Sequence, residues 1–112
     1  MATESITAQE LKTKLDADET IHLVDLRSAE MYAHNHIPTA VNVPFGESFA
    51  NDLQWLVKDK DVPLVGYFDG EPKYEEACKV AESLGYVKLL CLQDGIRGWM
   101  EQGYQLEFGA ES

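Results

Sequence analysis

The chain has 112 residues, 45% of them hydrophobic, with 20 Asp and Glu against 9 Lys and Arg and a formal net charge of −11. That length suits one compact unit that buries a core without staples, and the apolar fraction excludes an acidic disordered chain. The charge excess repels phosphate backbones and anionic lipid unless a basic patch intervenes, and no stretch of sequence supplies one, so neither nucleic acid nor membrane is expected as a partner.

The predicted elements alternate. Thr7 and Glu10 match a capping box ahead of Leu11 and Leu15, which predicts a first helix. Ile21 to Asp25 is a short apolar run ending in a carboxylate, a strand, after which Ser28 can cap a short helix through Met31 and Tyr32. Val41 to Val43 reads as a strand stopped by Pro44, and Phe49, Leu53, Trp55 and Leu56 recur at helical spacing. Pro63 to Phe68 is nearly all apolar, as a strand covered on both faces requires, and a loop from Asp69 to Pro72 follows.

From Lys73 a helix is expected, with Ala77, Cys78, Ala81 and Leu84 on one side, Glu75 and Glu76 near its positive end and Gly85 as its stop. Val87 to Leu92 is a further buried strand, and Asp94 is a candidate N-cap for a last helix through Ile96, Trp99 and Met100 to Gly103. Trp55 and Trp99 are both expected to pack in or against the core. This rhythm predicts an α/β fold over 1–112, a mostly parallel central sheet with helices on both faces. In such sheets ligands sit outside the carboxyl ends of strands, which directs attention to the loops after Asp25, Val43, Phe68 and Leu92.

Cys78 and Cys91 form neither a CxxC pair nor a metal-ligand spacing, and His22, His34 and His36 are scattered, so two reduced buried thiols and no metal or other cofactor are expected. The start lacks the basic and apolar regions of a secretory leader, and no run of about 18 apolar residues occurs. A cytoplasmic protein is the expectation.

Asp25-Leu-Arg27, Tyr32 and the run from His34 through His36-Ile-Pro to Pro44 resemble the D-x-R…Y-x-x-G-H-I-P-G-A-x-N-x-P signature of the rhodanese-like family at matching spacing. Gln93-Asp-Gly-Ile-Arg-Gly-Trp99 with Gly103 is similar to the closing stretch of that family. The resemblance spans roughly residues 5–107 and implies a three-layer sandwich with its active-site loop at 68–74. In active members this strand ends in a cysteine, and the loop resembles C-x-x-G-x-R-[ST]. Here the positions hold Phe68, Asp69, Gly70, Glu71, Pro72, Lys73 and Tyr74.

By this resemblance Phe68 occupies the nucleophile's position, and a phenyl ring can neither attack nor carry a persulfide. Pro72 removes one amide from the family's anion cradle, while Asp69 and Glu71 bring in carboxylates that Lys73 offsets only once. A carboxylate about 5 Å from one charge of a bound anion costs roughly 3 kcal/mol at an effective dielectric of about 20. The resemblance therefore implies a catalytically inactive module that binds an unknown protein or small molecule through residues 68–74, with Phe68 and Tyr74 as an exposed aromatic contact surface. The alternative is sulfur transfer or persulfide carriage at Cys78 or Cys91; phosphate-ester cleavage would need the same missing loop cysteine.

In family terms Asp25 and Arg27 brace neighbouring loops and His36 is a scaffold residue. Met31 stands where an acidic residue usually precedes the tyrosine, which leaves the partner of Arg27 open. Asn35 and Thr39 replace two glycines of the motif. Asn tolerates positive φ, whereas β-branched Thr39 is strained if its position demands it.

Overall fold

Short apolar runs and capped amphipathic segments become strands and helices in strict alternation. The computed structural model describes residues 4–69 and 74–109. The elements are β1 (Glu4–Ile6), α1 (Ala8–Asp16), β2 (His22–Asp25), α2 (Ala29–His34), β3 (Val41–Asn42), α3 (Phe49–Leu56), β4 (Leu64–Tyr67), α4 (Tyr74–Ser83), β5 (Leu89–Leu92) and α5 (Gly95–Glu101). Parallel pairing throughout gives a five-stranded sheet in the order β1-β5-β4-β2-β3.

Local signals act as the sequence predicts. The Thr7 hydroxyl accepts the Glu10 amide at 3.1 Å and the Glu10 carboxylate accepts the Thr7 amide at 2.9 Å, closing the capping box. Ser28 Oγ accepts the Met31 amide at 3.2 Å at the start of α2. Gly85, at φ 102°, ends α4, and the Tyr86 amide turns back to the Ala81 carbonyl at 3.2 Å. The Tyr86 hydroxyl then donates to the carbonyls of Leu53 and Val57, pinning this turn to α3.

The pleat divides the core in two. Leu23 and Val65 point to the face where Ile6, Leu11, Ile37, Ile96 and Trp99 gather, while Val24 and Leu64 point to the face of Phe49, Leu53, Ala77 and Ala81. Helices α1 and α5 thus cover one side of the sheet and α3 and α4 the other, the three layers expected. Each fully buried Leu or Val contributes about 1.5–3 kcal/mol by leaving water. Among the described residues no helix is long and apolar enough to cross a membrane.

Four features of the fold differ from what the local sequence predicts. Strand β1 was not foreseen: only Ile6 of its three residues is buried, so ESI carries almost no apolar pattern, yet it pairs along β5. Trp55 is 73% exposed rather than packed. The inward stripe of α3 runs Phe49, Leu53, Val57, one residue every four, and Trp55 falls off it, its ring covered instead by the Lys58 ammonium 4.4 Å from the ring centroid. Asp94 precedes α5 but lies at φ 63° and its side chain caps nothing.

Finally, Asn35 is extended at φ −166°, so the turn does not use its tolerance of positive φ, whereas Thr39 sits at φ 73°. Left-handed backbone at a β-branched residue stores about 1–3 kcal/mol. Thr39→Gly is accordingly expected to raise the free energy of unfolding by about 1 kcal/mol in urea titration, after the greater unfolded-state entropy of glycine is set against the strain relieved.

Candidate active-site region

Register places the first group of functional residues. Asp25 and Tyr67 are partners across parallel β2 and β4, so both carboxyl ends finish together. The Tyr67 hydroxyl donates to Asp25 Oδ2 at 2.9 Å and accepts the Ile37 amide at 3.1 Å. Asp25 Oδ1 accepts the Arg27 amide at 2.9 Å and Nε at 3.0 Å, and Oδ2 accepts Nη2 at 2.7 Å. Arg27 Nη2 also donates to the Asn35 carbonyl, and Nη1 to Asn35 Oδ1 at 3.4 Å. Asp25 and Asn35 are therefore the partners of Arg27 that Met31 left open.

Burial opposes the charge on Arg27, but its hydrogen bonds and attraction to Asp25 hold the guanidinium above the usual arginine range. Burial, reinforced by the nearby Asp25 charge, pushes the Tyr67 phenol far above the ordinary tyrosine value, so it remains a neutral donor. Asn42 Nδ2 donates to the carbonyls of Asp25 and Arg27 at 3.1 and 2.9 Å, and joins β3 to the same knot. His36 is fully buried, its ring stacked on Tyr32 at 3.8 Å between centroids and its Nδ1 bonded to the Tyr32 carbonyl at 2.9 Å. Asp25, Arg27 and His36 thus sit inside the molecule as ties between loops.

The loop after β4 begins with Phe68, and here the expectation of an exposed aromatic surface is corrected. Phe68 is 7% exposed, in the apolar cluster with Phe49, Leu53 and Ala77. Its ring meets Phe45 edge-on at 6.3 Å, and Phe45 meets Phe49 the same way at 5.1 Å. Extended backbone sends Tyr67 and Phe68 to opposite faces: Tyr67 reaches Asp25, so Phe68 turns under α3 and α4. The Phe68 carbonyl accepts the Ile96 amide at 2.9 Å, tying the loop base to α5.

Asp69 comes next, its Oδ1 accepting Arg97 Nε at 3.1 Å. Arg97 thus supplies a cation beside Asp69, a partner that the local sequence pattern does not announce. It was missed because only the adjacency of β4 and β5 brings the first turn of α5 to this loop. Gly70, Glu71, Pro72, Lys73 and the Tyr74 side chain lie outside the described residues. Cys91 is buried within β5, as expected, while Cys78 is half-buried on α4 and faces an apolar cleft with Leu26, Phe49 and Gly66. Neither cysteine lies at the carboxyl end of β4, and among the described residues no group of His, Cys, Asp and Glu could hold a metal ion.

A family model described as Rhodanese-like domain matches residues 7–102. The chain is 30% identical over 96 residues to the thiosulfate:glutathione sulfurtransferase of Saccharomyces cerevisiae, covering 77% of this chain and 69% of that protein. It is 34% identical over 109 residues to the HTH-type transcriptional regulator Rv0324 of Mycobacterium tuberculosis, covering 96% of this chain and 46% of that one. The chain spans about half the length of two of the curated relatives it matches.

Among solved structures, thiosulfate sulfurtransferase from Pseudomonas aeruginosa superposes with a TM-score of 0.85 at 26% identity, covering 95% of this chain and 20% of that chain. The rhodanese-like domain of the Anabaena Alr3790 protein gives 0.83 at 25% identity over 100% of this chain and 83% of that one. With its signature residues tied into one buried knot beneath an all-parallel sheet, the chain belongs to the rhodanese-like domain family.

Proposed function

We propose that this domain performs no sulfur transfer at its β4 loop and works as a binding or regulatory module, recognising a protein or small molecule through residues 68–74. One observation carries the reading: Phe68, which the family signature aligns with the nucleophile, is buried against Phe45 in the apolar core. Since the Phe68 ring is turned inward, contact falls to the loop's polar groups, Asp69 with its partner Arg97 foremost, and to Tyr74. Nucleic acid and membrane are not partners in this reading, no cofactor is used, and the location is cytoplasmic.

The sulfurtransferase names of relatives from Saccharomyces cerevisiae and Allochromatium vinosum favour a second reading, in which Cys78 or Cys91 carries sulfur. Cys91 is buried within β5 and Cys78 is half-buried on α4, and neither stands at the carboxyl end of β4 where the family's loop begins, which weighs against both residues. A thiosulfate-to-cyanide assay separates the readings. Thiocyanate formation at background is expected for the wild type, and turnover that disappears in Cys78→Ala or Cys91→Ala overturns the proposal. For the loop itself, an Asp69→Ala, Tyr74→Ala variant with the wild-type partner profile in a pull-down would remove residues 68–74 from consideration.

A further inference from the structure

The residues after α5 fold back over the loop between α2 and β3 as a strap, 104–109, whose two parts are fastened differently. The nearer part packs. The Trp99 indole donates to the Gln105 carbonyl at 2.8 Å, Tyr104 meets the Trp99 ring edge-on at 5.0 Å, and Leu106 rests against the core cluster that includes Ile37. The farther part is joined through its backbone. His36 and Glu107 exchange both backbone hydrogen bonds at 2.9 Å, an antiparallel bridge in an otherwise parallel fold, and the Gly109 amide reaches the Ala33 carbonyl at 2.7 Å. Phe108, between them, is 69% exposed, so its ring adds little apolar burial to the docking.

The segment gripped by the strap is the one that ties the signature residues together. Asn35, immediately before His36, accepts Arg27 Nη2 on its carbonyl and Nη1 on its side chain at 3.4 Å. Ile37, immediately after, donates its amide to the Tyr67 hydroxyl at 3.1 Å, and that hydroxyl donates to Asp25 at 2.9 Å. Tyr67 ends β4, and the loop at 68–74 begins with the next residue. A continuous run of bonded groups therefore leads from the strap to the base of that loop. Backbone bonds flanked by exposed side chains open at lower cost than a packed core does. We infer that residues 107–109 are a detachable clamp: docked, they hold the α2–β3 loop against Arg27 and Tyr67, and undocked, they loosen the knot beneath the β4 loop while the sheet stays folded.

Gly109 sets the clamp. It stands at φ 97°, a conformation that residues with a side chain rarely adopt, so its hydrogen bond to Ala33 depends on glycine. The clamp is independent of what the β4 loop binds, and its failure would leave that reading untouched.

Native-state hydrogen exchange tests the clamp in the full chain. Gly109→Val strains the docked backbone, and Glu107→Pro removes the amide that reaches the His36 carbonyl, so the two variants release the strap by separate routes. In each, the amides of Ile37 and of Arg27, which donates to Asp25 Oδ1 at 2.9 Å, should exchange about tenfold faster than in the wild type, the worth of one or two backbone hydrogen bonds. The Leu64 amide, bonded to the Lys88 carbonyl at 2.8 Å at the other end of β4, should keep its wild-type rate. An Arg27 amide as slow as in the wild type in both variants overturns the inference, because the strap would then grip its loop without reaching the knot. Equal acceleration at Leu64 overturns it as well, since release would then unsettle the whole sheet.

Discussion

Phe68→Cys is expected to lower the free energy of unfolding by about 3 kcal/mol and to leave thiosulfate-to-cyanide transfer at background. The stability loss follows from packing. Phe68 is buried among Phe49, Leu53 and Ala77, and its truncation removes the edge contact with Phe45 and leaves a void that α3 and α4 close only in part. Phe-to-Ala changes in cores cost about 3–5 kcal/mol, and the retained sulfur places this substitution at the lower end. The missing activity follows from the surroundings. The new thiol would start from the Phe68 Cβ in an apolar cluster, where the thiolate is disfavoured, with Asp69 adjacent in the chain and Pro72 withholding one amide from an anion cradle. Urea denaturation and the cyanide assay on the same preparation check both parts. Robust turnover in this single variant would show that the loop retains a working anion site.

Elements with their own periodicity were legible before the structure. The capping box at Thr7, the apolar run from Leu64 to Tyr67 and the Gly85 stop each encode a local conformation, and each forms as written. What the sequence withheld depends on neighbours distant along the chain. Strand β1 exists because β5 offers an edge, the pairing of Asp69 with Arg97 exists because β5 lies beside β4, and neither leaves a trace in the local pattern. Phe68 shows the same limit at one residue. A loop position suggested exposure, yet it is the strand's two-residue alternation, carried one step past Tyr67, that turns its ring into the core. The motif residues were legible as braces, but their partner set was not: Asn35, read as a turn former, instead holds Arg27.

Asp25→Ala should cost about 3–5 kcal/mol, because it strands Arg27 in the interior. The carboxylate is fully buried and accepts from the Arg27 amide, from its guanidinium and from the Tyr67 hydroxyl, so its loss leaves several donors without an acceptor at once. Tyr67→Phe removes a neutral hydroxyl from the same knot and is expected to cost only about 1–2 kcal/mol, chiefly through the Ile37 amide left unbonded. The double variant Asp25→Ala, Arg27→Met distinguishes an uncompensated charge from lost packing. With no cation left to bury, it should recover part of the stability lost in the single variant, since replacing both members of a buried pair costs less than removing one. Urea titrations of the four proteins decide the point: a double variant less stable than Asp25→Ala alone would mean that Arg27 holds the loops through its contacts with Asn35 even without its carboxylate.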